Sequence, residues 1–165
     1  MNAFEFAMNM EQDGQKYYEE QAAKMTNPAL QRIFHELAHD EQSHYETFKA
    51  LKDGKKTDYE AAFKTGILAT TKNVFEEMRD EGEDIDAFAS DVMPAWQKAL
   101  KIEDDSEKFY REQARKATEA NQKKIWTRIS DEEHKHWVAI NHVIQFIDRP
   151  NQWLENAEWS NLEPY

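Results

Sequence analysis

A chain of 165 residues suits one domain, and at that length it buries about two-thirds of the surface its unfolded form exposes. Its net charge of −12, from 21 Lys plus Arg against 33 Asp plus Glu, argues against nucleic-acid or anionic-membrane binding and favours the approach of cations. Having no cysteine excludes disulfides, thiolate metal sites and thiol catalysis. No apolar run approaches the ~18 residues of a membrane span, and the start MNAFEFAMNMEQD is acidic rather than signal-like, so a cytoplasmic protein is expected.

Four Gly and four Pro in the whole chain leave few breaks, so long helices are the default. The first is expected over about 2–25, with Phe4, Met8, Glu11, Gln15, Tyr18, Ala22 and Met25 at alternating steps of four and three. A second begins after Thr26-Asn27-Pro28, where Asn27 suits a cap and Pro28 the first helical position. Its inner face reads Leu30, Phe34, Leu37, Glu41, His44, Phe48 and Leu51, and Asp53-Gly54 ends it. A long connection over about 53–93 contains short helical pieces near 58–64 and 72–79 and a polar stretch at 80–86. The third helix, from about Pro94, shows Trp96, Leu100, Glu103, Glu107, Tyr110, Ala114 and Ala117. A fourth shows Trp126, Ile129, Glu133, His136, Ile140, Val143 and Ile147, stopping before Pro150.

Steps of four and three give a period near 3.5, the spacing of helices packed nearly antiparallel. Short turns join the first helix to the second and the third to the fourth. The expected fold is therefore all-α: a ferritin-like four-helix bundle of two antiparallel hairpins joined by one long crossover. It is expected to occupy 1–148, followed by an aromatic tail over 149–165.

The polar residues on the apolar stripes repeat. Glu103, Glu133 and His136 each lie 92 positions after Glu11, Glu41 and His44. Lys16, Tyr18, Glu20-Gln21-Ala22, Lys24 and Ile33 match Lys108, Tyr110, Glu112-Gln113-Ala114, Lys116 and Ile125 at the same interval. Duplication of one helical hairpin accounts for this register. Any single Glu in so acidic a chain is best read as a solvated charge. Glu11, Glu41, Glu103 and Glu133, however, occupy slots otherwise filled by Phe, Leu, Met, Ile and Trp, and an unpaired buried carboxylate costs several kcal/mol. Two divalent cations would neutralise the four carboxylates.

Within each Glu-x-x-His pair the side chains share a helix face, so each histidine serves one ion while its glutamate reaches toward both. Carboxylate and imidazole without sulfur suit iron(II), manganese or zinc, and a dinuclear site in a bundle points to iron or manganese. Glu36 with His39, and Asp131 with His134, have the same spacing but lie off the stripe. Their repeat counterparts do not match: Glu36 pairs with Arg128 and His39 with Asp131. His35, His39, His134 and His142 are read as surface or flank residues. Glu107 lies on the inner stripe where the first repeat has Gln15, and is a lesser metal candidate.

MEQDGQKYYEEQA and IEDDSEKFYREQA resemble the first and third helices of the rubrerythrin family, and DEQSH and DEEHKHW its second and fourth. The resemblance, over about 1–148, implies two iron ions per chain. Glu41 and Glu133 would bridge them, Glu11 and Glu103 would be terminal, and His44 and His136 would bind one each. Tyr18 and Tyr110 resemble the tyrosines that hydrogen-bond the terminal carboxylates from across the bundle. Asp40 and Glu132 are candidate acceptors for histidine N–H groups.

Two departures stand out: the chain lacks the cysteine-ligated rubredoxin module, and Ser106, with Gly14 as its counterpart, stands where the family has a further carboxylate. The first departure implies an external electron-donor protein, and a homodimer or higher homo-oligomer is expected. The expected activity is a di-iron oxidoreductase reducing hydrogen peroxide or oxygen. The alternatives are ferroxidase-type iron handling, a manganese catalase-like activity, or a metal-free structural protein, which the intact ligand set disfavours.

Overall fold

Asn2 opens α1 (Ala3–Lys24) by accepting the Glu5 N–H on its side-chain oxygen at 2.9 Å. Asn27 does the same for α2 (Pro28–Lys52), accepting from Leu30 at 2.9 Å with Pro28 in the first turn. Only three residues separate these helices, which folds them into an antiparallel hairpin, and Gln31 crosses it to bond the Ala22 carbonyl at 2.6 Å. Gly54, at φ 72°, closes α2. Its N–H and that of Lys55 reach back to the Leu51 and Ala50 carbonyls, satisfying two groups the helix leaves over. This computed structural model describes residues 2–148, so the expected tail lies outside the described residues.

The second hairpin pairs α5 (Ala89–Lys116) with α6 (Ala120–Asp148). Between the hairpins the chain forms a short α3 (Tyr59–Ala62), a longer α4 (Ile67–Asp80) and a 3-10 turn (Ile85–Ala87). The observed fold class is thus the ferritin-like all-α bundle expected from the periodicity. The crossover is better structured than expected. α4 begins at Ile67 rather than near 72, because Ile67, Thr71, Val74, Phe75 and Met78 form an apolar stripe that packs against α2 and α6. Phe75 stacks on Phe146 with ring centroids 4.5 Å apart.

α5 also starts earlier than Pro94. Phe88, Ala89, Val92 and Met93 pack against the core and extend the helix backwards. The carbonyl that Pro94 cannot engage belongs to Ser90, which is exposed to solvent.

Two apolar clusters fill the bundle. One contains Leu30, Phe34, Leu37, Trp96 and Ile140, with Phe34 and Trp96 stacked 3.9 Å apart. The other contains Phe48, Phe63, Tyr110, Trp126 and Ile129. Glu11, Glu41, His44, Glu103, Glu133 and His136 are buried in the same bundle.

Candidate metal centre

The same 3.5 periodicity that builds the core turns Glu11, Glu41, His44, Glu103, Glu133 and His136 inward, and each is at most 3% exposed. They form two overlapping sets. Glu11, Glu41, His44 and Glu133 can offer one donor atom each within 4.8 Å of one another, and so can Glu41, Glu103, Glu133 and His136. Glu41 and Glu133 belong to both sets, whereas each set has its own histidine and its own further glutamate. Glu41 and Glu133 thus lie where either could reach both donor sets.

Both histidines aim Nδ1 at the carboxylates. His44 Nδ1 lies 3.3 Å from Glu11 Oε2 and 3.1 Å from Glu133 Oε1. His136 Nδ1 lies 3.3 Å from Glu103 Oε1 and 3.5 Å from Glu41 Oε1. The rings stack at 5.8 Å. On its far side His136 Nε2 lies 2.9 Å from Asp40 Oδ2, and a proton held there would leave Nδ1 as the nitrogen that gives up its proton to a cation.

Asp40 is therefore the expected acceptor. Its counterpart Glu132 is not: it is buried and accepts the Thr65 N–H at 2.5 Å, with Lys135 3.5 Å from its other oxygen. Two cross-bundle bonds complete the arrangement. Tyr18 donates to Glu103 at 2.6 Å and Tyr110 donates to Glu11 at 2.5 Å, so each tyrosine serves the other repeat's glutamate, as expected.

Electrostatics sharpen the picture. Burial, and then the charges of Glu11, Glu133 and Glu103, hold the Glu41 carboxyl well above the usual range. Burial and the charges of Glu103 and Glu11 do the same to Glu133. Glu103 is held down at about 2: burial opposes ionisation, but the His136 charge and the bonds from His136 and Tyr18 outweigh it. His136 is likewise raised well above its ordinary value, against burial, by Glu103 and Asp40. Both tyrosines are raised by burial and by neighbouring carboxylates, so they remain hydrogen-bond donors.

Glu41 Oε1, Glu103 Oε2 and both Glu133 oxygens are buried without a hydrogen-bond partner. Such atoms are costly unless a cation takes them up. Converging oxygen and imidazole donors, four of the oxygens unpartnered, fit a pair of first-row divalent ions.

The other candidates lie elsewhere. Glu107 turns aside to His134 at 2.8 Å and belongs to neither set. Exposed His39 and Asp131 lie outside the cluster, as do half-buried Glu36 and His134. His142 is buried, at 6% exposure, rather than on the surface or flank. Gly14 packs against Glu41: a Cβ there would lie 3.4 Å from its Oε2, at ordinary contact distance. Beside Gly14 a cavity of about 400 Å³ opens between α1 and α5, with Ser106 in its lining.

Residue reasoning missed Thr65, whose hydroxyl donates to Asp40 Oδ2 at 2.5 Å. It sits in the crossover, where no repeat counterpart exists to flag it.

No curated protein and no solved structure matches the chain. The rubrerythrin family model matches residues 2–87, which span the first hairpin and the crossover. The second hairpin repeats the first hairpin's inward-facing glutamates and histidine. With more than half its length matched and the duplicated Glu-x-x-His pairs converging in its core, this chain belongs to the rubrerythrin family.

Proposed function

We propose that the chain is a di-iron oxidoreductase that reduces hydrogen peroxide with electrons from an external donor. The observation that supports this reading best is the pair of overlapping donor sets sharing Glu41 and Glu133. Two iron(II) ions held there would supply the two electrons that cleave a peroxide O–O bond. Glu11 and His44 would serve one ion, Glu103 and His136 the other, and Glu41 and Glu133 both.

Around that centre the side chains have separate tasks. Tyr18 and Tyr110 orient the Glu103 and Glu11 carboxylates, each bonding one oxygen of its partner. Asp40 holds the proton on His136 Nε2. Phe34, Leu37, Phe48 and Ile129, all fully buried, exclude bulk water. The cavity beside Gly14 and Ser106 is a suitable approach for a small neutral oxidant. The absence of cysteine among the 165 residues rules out a cysteine-ligated iron centre within this stretch and supports a donor outside it.

Anaerobic stopped-flow oxidation of the reduced, iron-loaded protein tests the reaction. We expect oxidation to be faster with stoichiometric hydrogen peroxide than with dissolved oxygen, with about one peroxide consumed per di-iron site, since each site supplies two electrons. Faster oxidation by oxygen, together with a mineral core in a large assembly, would favour ferritin-type iron handling. Manganese in protein isolated from its native host, with dismutation of peroxide, would favour a catalase-like activity.

A further inference from the structure

The repeat makes the two halves of the centre alike, yet the crossover touches them differently. Positions 40 and 132 are counterparts 92 residues apart, and Thr65 bonds to both. Its backbone N–H goes to Glu132 and its hydroxyl to Asp40, each at 2.5 Å. The Thr65 oxygen also accepts the Ile67 N–H at 3.1 Å. The hydroxyl proton is thus committed to Asp40, and the same Asp40 oxygen receives His136 Nε2–H at 2.9 Å. One carboxylate oxygen is pinned from two sides and backs one histidine.

His44 receives different treatment. Glu132, which the repeat would place behind it, is engaged with the Thr65 N–H and Lys135. The crossover instead presents Phe63 edge-on to the His44 ring, with centroids 5.3 Å apart at 88°. Arg128 holds this turn in place by donating to the Phe63 and Glu60 carbonyls at 2.8 and 3.0 Å. A carboxylate behind a ligating imidazole raises its basicity and fixes its tautomer, and losing one typically costs 10–100-fold in metal affinity. An aromatic edge does neither.

We propose that Thr65 is a positioning residue that makes the two metal positions unequal, strengthening the one at His136 through Asp40. This rests on the reading of the cluster as a two-metal centre and adds an order of filling: the His136 position first, the His44 position second. Aligning a charged acceptor on one histidine only gives the pair a strong and a weak member from a duplicated ligand set.

Calorimetric titration of the metal-free full chain with cobalt(II), under anaerobic conditions and followed in parallel by visible absorption, tests this. The unaltered chain should bind two equivalents in two resolved steps, the first about tenfold or more tighter. Thr65→Val should weaken the tight step by about tenfold and leave the weak one in place. Thr65→Ser should restore it. Asp40→Asn, which removes the charge behind His136 while leaving Thr65 in place, should weaken the same step and guards against misfolding of the Val variant. His136→Ala should abolish the tight step and His44→Ala the weak one. Two equal steps, an unchanged tight step in both Thr65→Val and Asp40→Asn, or loss of the tight step in His44→Ala would overturn the proposal alone. No cobalt uptake by the unaltered chain would overturn the two-metal reading and this proposal with it.

Discussion

At Glu41 and Glu36 the chain carries two carboxylates that each precede a histidine by three residues, yet only Glu41 is buried in the cluster. Glu41→Ala should therefore lose metal readily while Glu36→Ala retains it, as metal analysis of the purified variants after dialysis would show. Equal content in the two would mean that the wrong Glu-x-x-His pair had been chosen. Tyr18→Phe and Tyr110→Phe remove one bond each to Glu103 and Glu11 without removing a donor from either set. Both variants should keep two metals and alter oxidation kinetics modestly, and loss of metal from either would assign the tyrosines a larger role. At this scale the ligands were legible because a charged residue on an apolar stripe needs a reason, and the interval of 92 supplied the same reason twice. Glu132 was misread because its direction depends on Thr65, which the repeat does not contain.

Among the elements, the helix boundaries with chemical punctuation were the legible ones. Asn27-Pro28 and Asp53-Gly54 begin and end α2 where capping chemistry places them. Asn27 also donates to Glu83 at 2.8 Å, tying the first hairpin's turn to the far end of the crossover. Asn27→Ala should accordingly destabilise the fold by about 1 kcal/mol or somewhat more, measured by urea unfolding; no change would mean that water replaces both bonds. The start of α5 was less legible because Pro94 looks like a first-turn residue, and only the packing of Val92 and Met93 shows otherwise. α4 was half-read for a similar reason, its stripe making sense only against α2 and α6 together. Glu36 and Arg128, counterparts that fail to match, both face the crossover. Arg128 bonds its carbonyls, and Glu36 lies where a Cβ on Gly66 would meet it at 3.3 Å. The mismatches thus record where the duplicated hairpins meet a segment that is not duplicated.

For the molecule as a whole, the buried charges link stability, metal and pH. Glu41 and Glu133 have raised pKa values, so without metal they stabilise the fold below the ordinary carboxylate range and lose that contribution as pH rises through their raised values. His136 has the same sign, its contribution present below its ordinary value and lost as pH climbs through the raised one. Glu103 has the opposite sign, but its window lies between the ordinary carboxylate value and about 2. Hence the metal-free protein should lose thermal stability as pH rises from the ordinary carboxylate range through the raised values of Glu41, Glu133 and His136, while metal binding, which displaces these protons, should tighten. The gap in Tm between loaded and metal-free protein should widen across that range. A constant gap, read by calorimetry at several pH values, would mean that the protons are not displaced by metal.

The central claim, that Glu41 and Glu133 are shared by two metal ions, is tested most directly by anomalous X-ray diffraction from crystals of the iron-loaded protein, recorded on both sides of the iron edge. The account predicts two peaks per chain about 3–4 Å apart, with Glu41 and Glu133 between them, His44 at one and His136 at the other. A single peak, or a bundle core without anomalous signal after iron loading, would contradict it.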